Sequence, residues 1–141
     1  DVYKGKLKHE THFGKYALFV SFFPQLVAGP IERATNLLPQ FSKRITFDYA
    51  KAIEGTKLII CGYFMKVVVA DRLSIYVDAV YNNPEIHQST TLIVASIFFA
   101  FQIYCDFGGY SSIAIGCAKI LGFDLMTNFR RPYFSQTCSE F

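Results

Sequence analysis

The sequence has few charged residues for its length. Asp, Glu, Lys and Arg make up 18% of its 141 residues, whereas soluble domains average about 25%. Hydrophobic residues account for 52% of the chain, and the mean hydropathy is +0.26. The net charge of +3 is small, and the basic residues are scattered along the sequence. Both features argue against a nucleic-acid-binding surface. This composition favours a membrane protein or a piece of a larger protein.

The sequence also lacks the usual signals of metal and nucleotide sites. Its four cysteines include no pair at the C-x-x-C spacing of a zinc site. His9 and His12 lie three residues apart, whereas the zinc-binding H-E-x-x-H helix requires four. Asp106-Phe107-Gly108 matches the kinase magnesium triplet, but the other kinase signatures are missing. We therefore predict no metal site, no cofactor and a solvated loop around the two histidines.

The two ends of the chain carry no recognisable start or stop signal. The sequence begins with Asp1 rather than Met, and no signal peptide follows. We expect residues 1–141 to be a partial transmembrane domain, truncated at both ends.

One segment is typical of a transmembrane helix. Residues 86–105 contain no Asp, Glu, Lys, Arg, Gly or Pro. A helix of 20 residues covers about 30 Å, which is the thickness of the hydrocarbon core. The Gly108-Gly109 pair then predicts a break in the helix, after which residues 110–123 form a second apolar stretch that ends at Gly122.

The N-terminal apolar segment is interrupted. Residues 16–31 are uncharged, but Pro24 and Gly29-Pro30 predict a kinked or re-entrant segment, or one end of a span. The polar residues 32–57, in which Leu37, Leu38 and Phe41 form a small apolar cluster around Pro39, are expected to form short helices at the membrane surface. They are rich in basic residues, but residues 1–15 carry four lysines. If residues 16–31 cross the membrane, these two basic regions give conflicting orientations.

A helical region is predicted to start after Thr46 or Asp48, either of which is a candidate N-cap. Residues 58–70 are apolar apart from Lys66, and their length is more typical of a re-entrant or interfacial segment than of a span. The lysine is expected to extend its amine to the interface. Residues 71–81 show the spacing of an amphipathic helix. The predicted fold is all-α, a multi-pass membrane protein with re-entrant and interfacial amphipathic helices.

Polar side chains in the most apolar part of the chain form a candidate site. An ionisable residue inside a transmembrane segment is a functional candidate by default. Two interpretations are open: Asp106 caps the helix that follows a glycine turn, or the polar residues line a channel that receives a substrate. Because capping by Asp is so common, the first has more weight. The candidate residues are Gln102, Tyr104, Asp106, Tyr110 and Ser111.

At these residues the chain resembles a known family. Five stretches, in order and spread over nearly the whole chain, are similar to the membrane-bound O-acyltransferases, in the branch of the bacterial alginate O-acetyltransferase membrane subunit. The D-alanyl transferase of teichoic acids is a more distant relative. The stretches are FFPQLVAGPI at 22–31, LPQF at 38–41, KVVVADR at 66–72, QIYCDFGGYS at 102–111 and NFRRPY at 128–133.

The resemblance implies an enzyme that spans the plasma membrane several times and has a funnel across it. Such enzymes move an acyl group, usually acetyl, to a hydroxyl of an extracellular or periplasmic polysaccharide such as alginate. The implied partners are an acyl donor, the polysaccharide acceptor, membrane lipids and periplasmic or membrane subunits of an acetylation complex, with no nucleic acid.

The family's histidine signature is not matched in this chain. His9, His12 and His87 all fall outside the matching stretches. We therefore assign no catalytic residue and expect the chain alone to be inactive, with the candidate residues contributing to substrate binding in the funnel. The rival hypotheses are a non-enzymatic membrane channel or scaffold, and a soluble all-α domain.

Overall fold

The computed structural model describes residues 12–25, 29–30, 32–128 and 132–137, and within these ranges it contains helices but no β-strand. Five α-helices are joined by short connections and by one π-helical segment. The α-helices are α1 (Phe13–Ser21), α2 (Ala34–Gln40), α3 (Tyr49–Tyr63), α4 (Asp71–Tyr81) and α5 (Ser89–Ile120). The π-helical segment is Phe64–Ala70, and short 3-10 turns occupy Phe23–Gln25, Pro84–Ile86 and Pro132–Phe134.

Helices α3 and α4 are joined by the π-helical segment into one uninterrupted helical run. The run begins at Asp48, whose carboxylate accepts hydrogen bonds from the backbone N–H groups of Ala50 (2.9 Å) and Lys51 (3.3 Å). This confirms one of the two predicted N-caps. The backbone of residues 58–70 stays helical and continues directly into α4, so the chain does not turn back there as a re-entrant segment would. The alternative, an interfacial segment, stays a prediction.

Helix α5 is also continuous where a break was predicted. Gly108 and Gly109 lie inside it, because packing against α3 outweighs the roughly 1 kcal/mol that each glycine costs in a helix. The predicted end at Gly122 is confirmed: its φ is +85°, and its N–H donates to the carbonyl of Lys119 at 3.0 Å. The next N–H, from Phe123, donates to Ala118 at 2.9 Å, which completes a Schellman motif.

The α3–α4 run and α5 form an antiparallel helical hairpin with very close backbone contact. A Cβ atom placed on Gly62 would lie 2.5 Å from the carbonyl oxygen of Gly109, and one placed on Gly55 would lie 2.6 Å from that of Gly116. The two glycines on each helix are seven residues apart, which keeps both on the facing side of a gently supercoiled pair. These four positions (the glycine seam) therefore fix the distance between the helices.

Helix α5 is long and apolar enough to cross a membrane, and no other helix in the described ranges is. Its 32 residues extend about 48 Å, more than the roughly 30 Å hydrocarbon core. Only 22% of its most apolar window is buried inside the structure. A core helix of a soluble protein would be mostly buried, so the exposed apolar surface of α5 favours a lipid or protein environment over water.

The end of the hairpin at Gly122 is covered by a small aromatic core. The rings of Phe22, Phe41 and Phe123 meet edge to face, with centroids 5.1–5.6 Å apart. Leu37 and Ala118 are fully buried beside them. The core confirms the predicted apolar cluster around α2, and it attaches α1 and α2 to the C-terminal end of α5.

Glu32 is a buried carboxylate that ties the chain after α5 to α2. It is only 6% exposed. One oxygen accepts from the side-chain amide of Asn36 at 2.9 Å, and the other accepts from the backbone N–H of Met126 at 2.7 Å. Gln40 adds two bonds to the backbone of Asp124, at 2.9 Å each. This role could not be predicted from the sequence, because Met126 and Asp124 are more than 80 residues away from Glu32 and Gln40 in the chain.

We expect Glu32→Ala to destabilise this end of the protein by about 2–4 kcal/mol, since hydrogen bonds to a charged group contribute about 1.5–3 kcal/mol each. Glu32→Gln, which keeps one acceptor oxygen, should lie between wild type and alanine. Thermal unfolding of the full-length protein in detergent measures the difference. Glu85→Ala is the control, because Glu85 is exposed in the turn before α5. Equal melting temperatures for all variants would contradict the role of Glu32.

Candidate functional site

The five candidate residues all lie on α5, but the structure divides them between two places. Tyr104 and Ser111 are seven residues apart and line the same cavity. Asp106 instead pairs with Lys66 of the π-helical segment. The side-chain oxygen of Gln102 is buried and has no hydrogen-bond partner among the described residues. Tyr110 is 37% exposed.

The cavity holds about 90 Å³ and is bounded by α5, the π-helical segment and the chain that follows Gly122. Ser111 is only 4% exposed, and its hydroxyl has no hydrogen-bond partner among the described residues. Ser112, also on the wall, is satisfied, since it donates to the carbonyl of Gly108 at 2.8 Å. Thr127 and Asn128 add further polar groups. A buried, unpartnered hydroxyl in a polar cavity needs a ligand or water to satisfy it.

Tyr133 helps to hold this part of the chain along α5. Its hydroxyl donates to the carbonyl of Ala100 at 2.5 Å, and its ring lies 5.9 Å from that of Tyr104. The described residues after α5 thus run back along the helix and cover one side of it, which is why Ser111 is buried.

Asp106 belongs to a three-membered charge cluster. The amine of Lys66 lies 2.7 Å from the carboxylate of Asp106 and 2.9 Å from that of Asp71. The three side chains are 41–48% exposed. The lysine follows the α-to-π transition at Phe64, and π-helical turns are frequent at functional sites. One positive charge is therefore shared by two negative charges.

The capping interpretation of Asp106 is wrong, because the residue lies within α5 and not at the start of a helix. The amine of Lys66 is held between two carboxylates, and its expected position at the membrane interface stays a prediction. A sequence signal for the pair did exist: each residue is an isolated charge in an apolar segment, and such charges usually pair with one another.

The histidines occupy other elements. His12 precedes α1 and His87 lies in the turn before α5. His9 lies outside the described residues, as does most of the near-miss zinc pattern that contains it. The described part of the chain thus offers a polar cavity and a charge cluster, but it contains no histidine on the cavity wall that could serve as a general base.

Known proteins match the chain along its whole length. It is 36% identical over 143 residues to the probable alginate O-acetylase AlgI of Pseudomonas putida, covering 100% of this chain and 29% of that protein. It is 35% identical over 133 residues to the peptidoglycan O-acetyltransferase of Helicobacter pylori, covering 93% and 25%. The teichoic acid D-alanyltransferase of Bacillus subtilis is 27% identical over 141 residues, covering 97% and 35%.

No model of a protein family matches the chain. The chain spans less than a third of the length of the AlgI proteins that it matches.

Proposed function

We propose that the chain belongs to the membrane-bound O-acyltransferases and is part of an enzyme that transfers an acyl group to a hydroxyl of an extracellular polysaccharide, because it matches the alginate O-acetylases from end to end. The observation that carries this proposal is the whole-length similarity to three differently named groups of acyltransferases. Their names share the transfer of an acyl group to a polymer.

The acyl group we propose is acetyl and the acceptor is a polysaccharide such as alginate. The relatives named as O-acetylases are 35–37% identical to the chain, whereas the D-alanyltransferases are 25–27% identical. The sequence identities to the alginate O-acetylases and to the peptidoglycan O-acetyltransferase are nearly equal, so they do not distinguish between these two acceptors. The surrounding enzyme is proposed to cross the plasma membrane several times and to work with partner subunits that deliver the donor or the acceptor.

The contribution of this chain is a rigid wall beside the reaction path. Gln102, Tyr104, Asp106, Tyr110 and Ser111 are proposed to bind substrate along this wall, with the cavity at Ser111 as its polar recess. Attack of an alcohol on an activated acyl group requires a general base near neutral pH, usually His. We propose that the base comes from the part of the enzyme outside this chain, and that the hairpin provides shape and excludes water.

The acyl-transfer proposal is tested with the full-length protein in a host strain that lacks its own polysaccharide O-acetylase. We expect its expression to restore ester-linked acetate on the secreted polysaccharide, measured as acetate released by mild alkali. A strain with an empty vector gives the background. Wild-type protein that is present in the membrane but adds no ester to alginate, peptidoglycan or teichoic acid would overturn the proposal.

The variant Ser111→Ala distinguishes a role of the Ser111 hydroxyl in substrate binding from a role in the stability of the protein. Removing a buried hydroxyl that has no protein partner should leave stability unchanged or slightly higher. If the hydroxyl binds substrate, we expect kcat/KM to fall by about tenfold, which is the loss of one hydrogen bond of about 1.4 kcal/mol. Ser112→Ala is the matched control, because that hydroxyl bonds within its own helix. Unchanged turnover in Ser111→Ala would remove Ser111 from the site.

A further inference from the structure

Seven of the nine basic residues in the described ranges lie at one end of the hairpin, and the other two, Lys66 and Arg72, lie between its two ends. Residues 73–118, which include the turn between α4 and α5, contain no Lys or Arg, and the turn itself carries Glu85. The opposite end combines the start of α3 with the end of α5. Its basic residues are Lys15, Arg33, Lys43, Arg44, Lys51, Lys57 and Lys119.

The structure places the N-terminal basic residue at this same end. The amine of Lys15 donates to the hydroxyl of Ser42 at 2.9 Å. Helix α1 has nine residues and extends about 14 Å, which is less than half of the hydrocarbon core. Phe22, one residue beyond α1, packs on Phe41 and Phe123. The described part of the N-terminal segment does not cross to the far end, so Lys15 and the basic residues of 32–57 indicate the same orientation.

A cleft of about 640 Å³ opens at the basic end, between α2, residues 41–48 and the start of α3. Lys51 on its wall is paired with Asp124 at 2.9 Å, and this hydrogen bond raises the pKa of the lysine. Asp48 on the wall already accepts the backbone bonds of the α3 N-terminus. Lys43 and Arg44 are exposed and form no ion pair with any described residue. The cleft therefore presents uncompensated positive charge.

The cleft lies at the height of lipid headgroups if α5 crosses the membrane. Helix α5 is about 18 Å longer than the hydrocarbon core, so its ends extend into the headgroup layers. Gly122 and Asp124, which directly follow α5, line the cleft. The Arg44 guanidinium and the Lys43 ammonium both belong to the lining of the cleft, and both groups are well suited to a phosphate.

We propose that the basic end of the hairpin faces the cytoplasm and that its cleft binds the phosphate of an anionic phospholipid in that leaflet. Basic residues concentrate on the cytoplasmic side of membrane proteins, and anionic lipids give that leaflet a negative surface potential. The turn between α4 and α5 then faces the outside. The proposal concerns the placement of the chain in the membrane and does not rest on acyl transfer.

The orientation is tested by labelling the full-length protein in spheroplasts with a membrane-impermeant maleimide. Glu85→Cys in the turn should be labelled in intact spheroplasts, and Arg44→Cys in the cleft should be labelled only after the membrane is opened. Wild-type protein gives the background from the native cysteines. The reverse pattern, or labelling of both positions in intact spheroplasts, would overturn the orientation.

Lipid binding is tested by titrating phosphatidylglycerol into the full-length protein in nonionic detergent and counting bound lipids by native mass spectrometry. Each lost basic residue should weaken binding about fivefold, so Lys43→Gln/Arg44→Gln should weaken it about 25-fold. Lys57→Gln, which removes a charge outside the cleft, is the matched control. Equal binding by all variants, equal binding of phosphatidylcholine, or displacement of the lipid by millimolar inorganic phosphate would overturn the lipid assignment.

Discussion

Gly109→Val is expected to reduce the amount of folded protein in the membrane by at least tenfold. A Cβ atom at this position would lie 2.8 Å from the carbonyl oxygen of Gly62 and 3.2 Å from the backbone nitrogen of Lys66. Both neighbours are backbone, so the helices can accommodate the side chain only by moving apart. Overpacking costs about 1–3 kcal/mol even in adaptable cores, and helix association in membranes depends on such close contact.

The neighbouring glycine provides the matched control. A Cβ atom on Gly108 would meet only the terminal methyl of Met65, at 3.2 Å, and that flexible side chain can move. Gly108→Ala should therefore leave the protein folded, and the higher helix propensity of alanine should add up to about 1 kcal/mol of stability. Size-exclusion profiles of the full-length variants in detergent measure both effects. Equal yields for Gly108→Ala and Gly109→Val would show that the glycine seam does not determine the helix spacing.

Features that depend on local chemistry could be predicted from the sequence. Asp48 caps α3 and Gly122 ends α5, because the capping side chain and the left-handed residue act on backbone groups within a few residues of themselves. The apolar cluster at Leu37 and Leu38 also formed as predicted. Each of these expectations needed only neighbouring residues in the chain.

Features that depend on a distant partner could not be predicted in the same way. The glycine pair at 108–109 indicated a turn when judged by helix propensity, but Gly62 on another helix makes Gly109 a packing position. Glu32 gave no signal at all, since its partner Met126 is 94 residues away. A spacing of seven residues between two glycines was present in each of the two helices, and it would have indicated the glycine seam.

The candidate site shows the same limit. All five residues were chosen because they are polar in an apolar segment, and all five do lie on one helix. Their grouping depends on what packs against each side of that helix. The chain after Gly122 buries Ser111, and the π-helical segment supplies the partner of Asp106. Sequence could identify the helix but not which side chains share a cavity.

Lys66→Met and Asp106→Asn should differ strongly, although each removes one partner of the same ion pair. The wild-type cluster carries one positive and two negative charges. Without the lysine, Asp71 and Asp106 face each other uncompensated. An unpaired charge inside a membrane costs about 2.5–3.5 kcal/mol on insertion scales. We therefore expect the folded amount of Lys66→Met to fall about tenfold or more.

Asp106→Asn leaves a neutral pair, because Lys66 still has Asp71 at 2.9 Å. Its folded amount should stay within about fivefold of wild type, since a half-exposed ion pair contributes at most about 1 kcal/mol. Because the fold is retained, its turnover reports on function alone. If Asp106 lines the reaction path, acyl transfer should fall by about tenfold or more, which is the expected loss of a charge-assisted hydrogen bond.

The two measurements together separate the architectural role of Asp106 from a functional one. If Lys66→Met and Asp106→Asn both give the wild-type amount of folded protein, the charge cluster does not stabilise the hairpin. A normal amount of Asp106→Asn with normal turnover would exclude Asp106 from the reaction path and leave the cavity at Ser111 as the candidate site on α5. Loss of turnover with a normal amount of protein would instead assign Asp106 to the reaction path, since Lys66 and Asp71 alone are then sufficient for the fold.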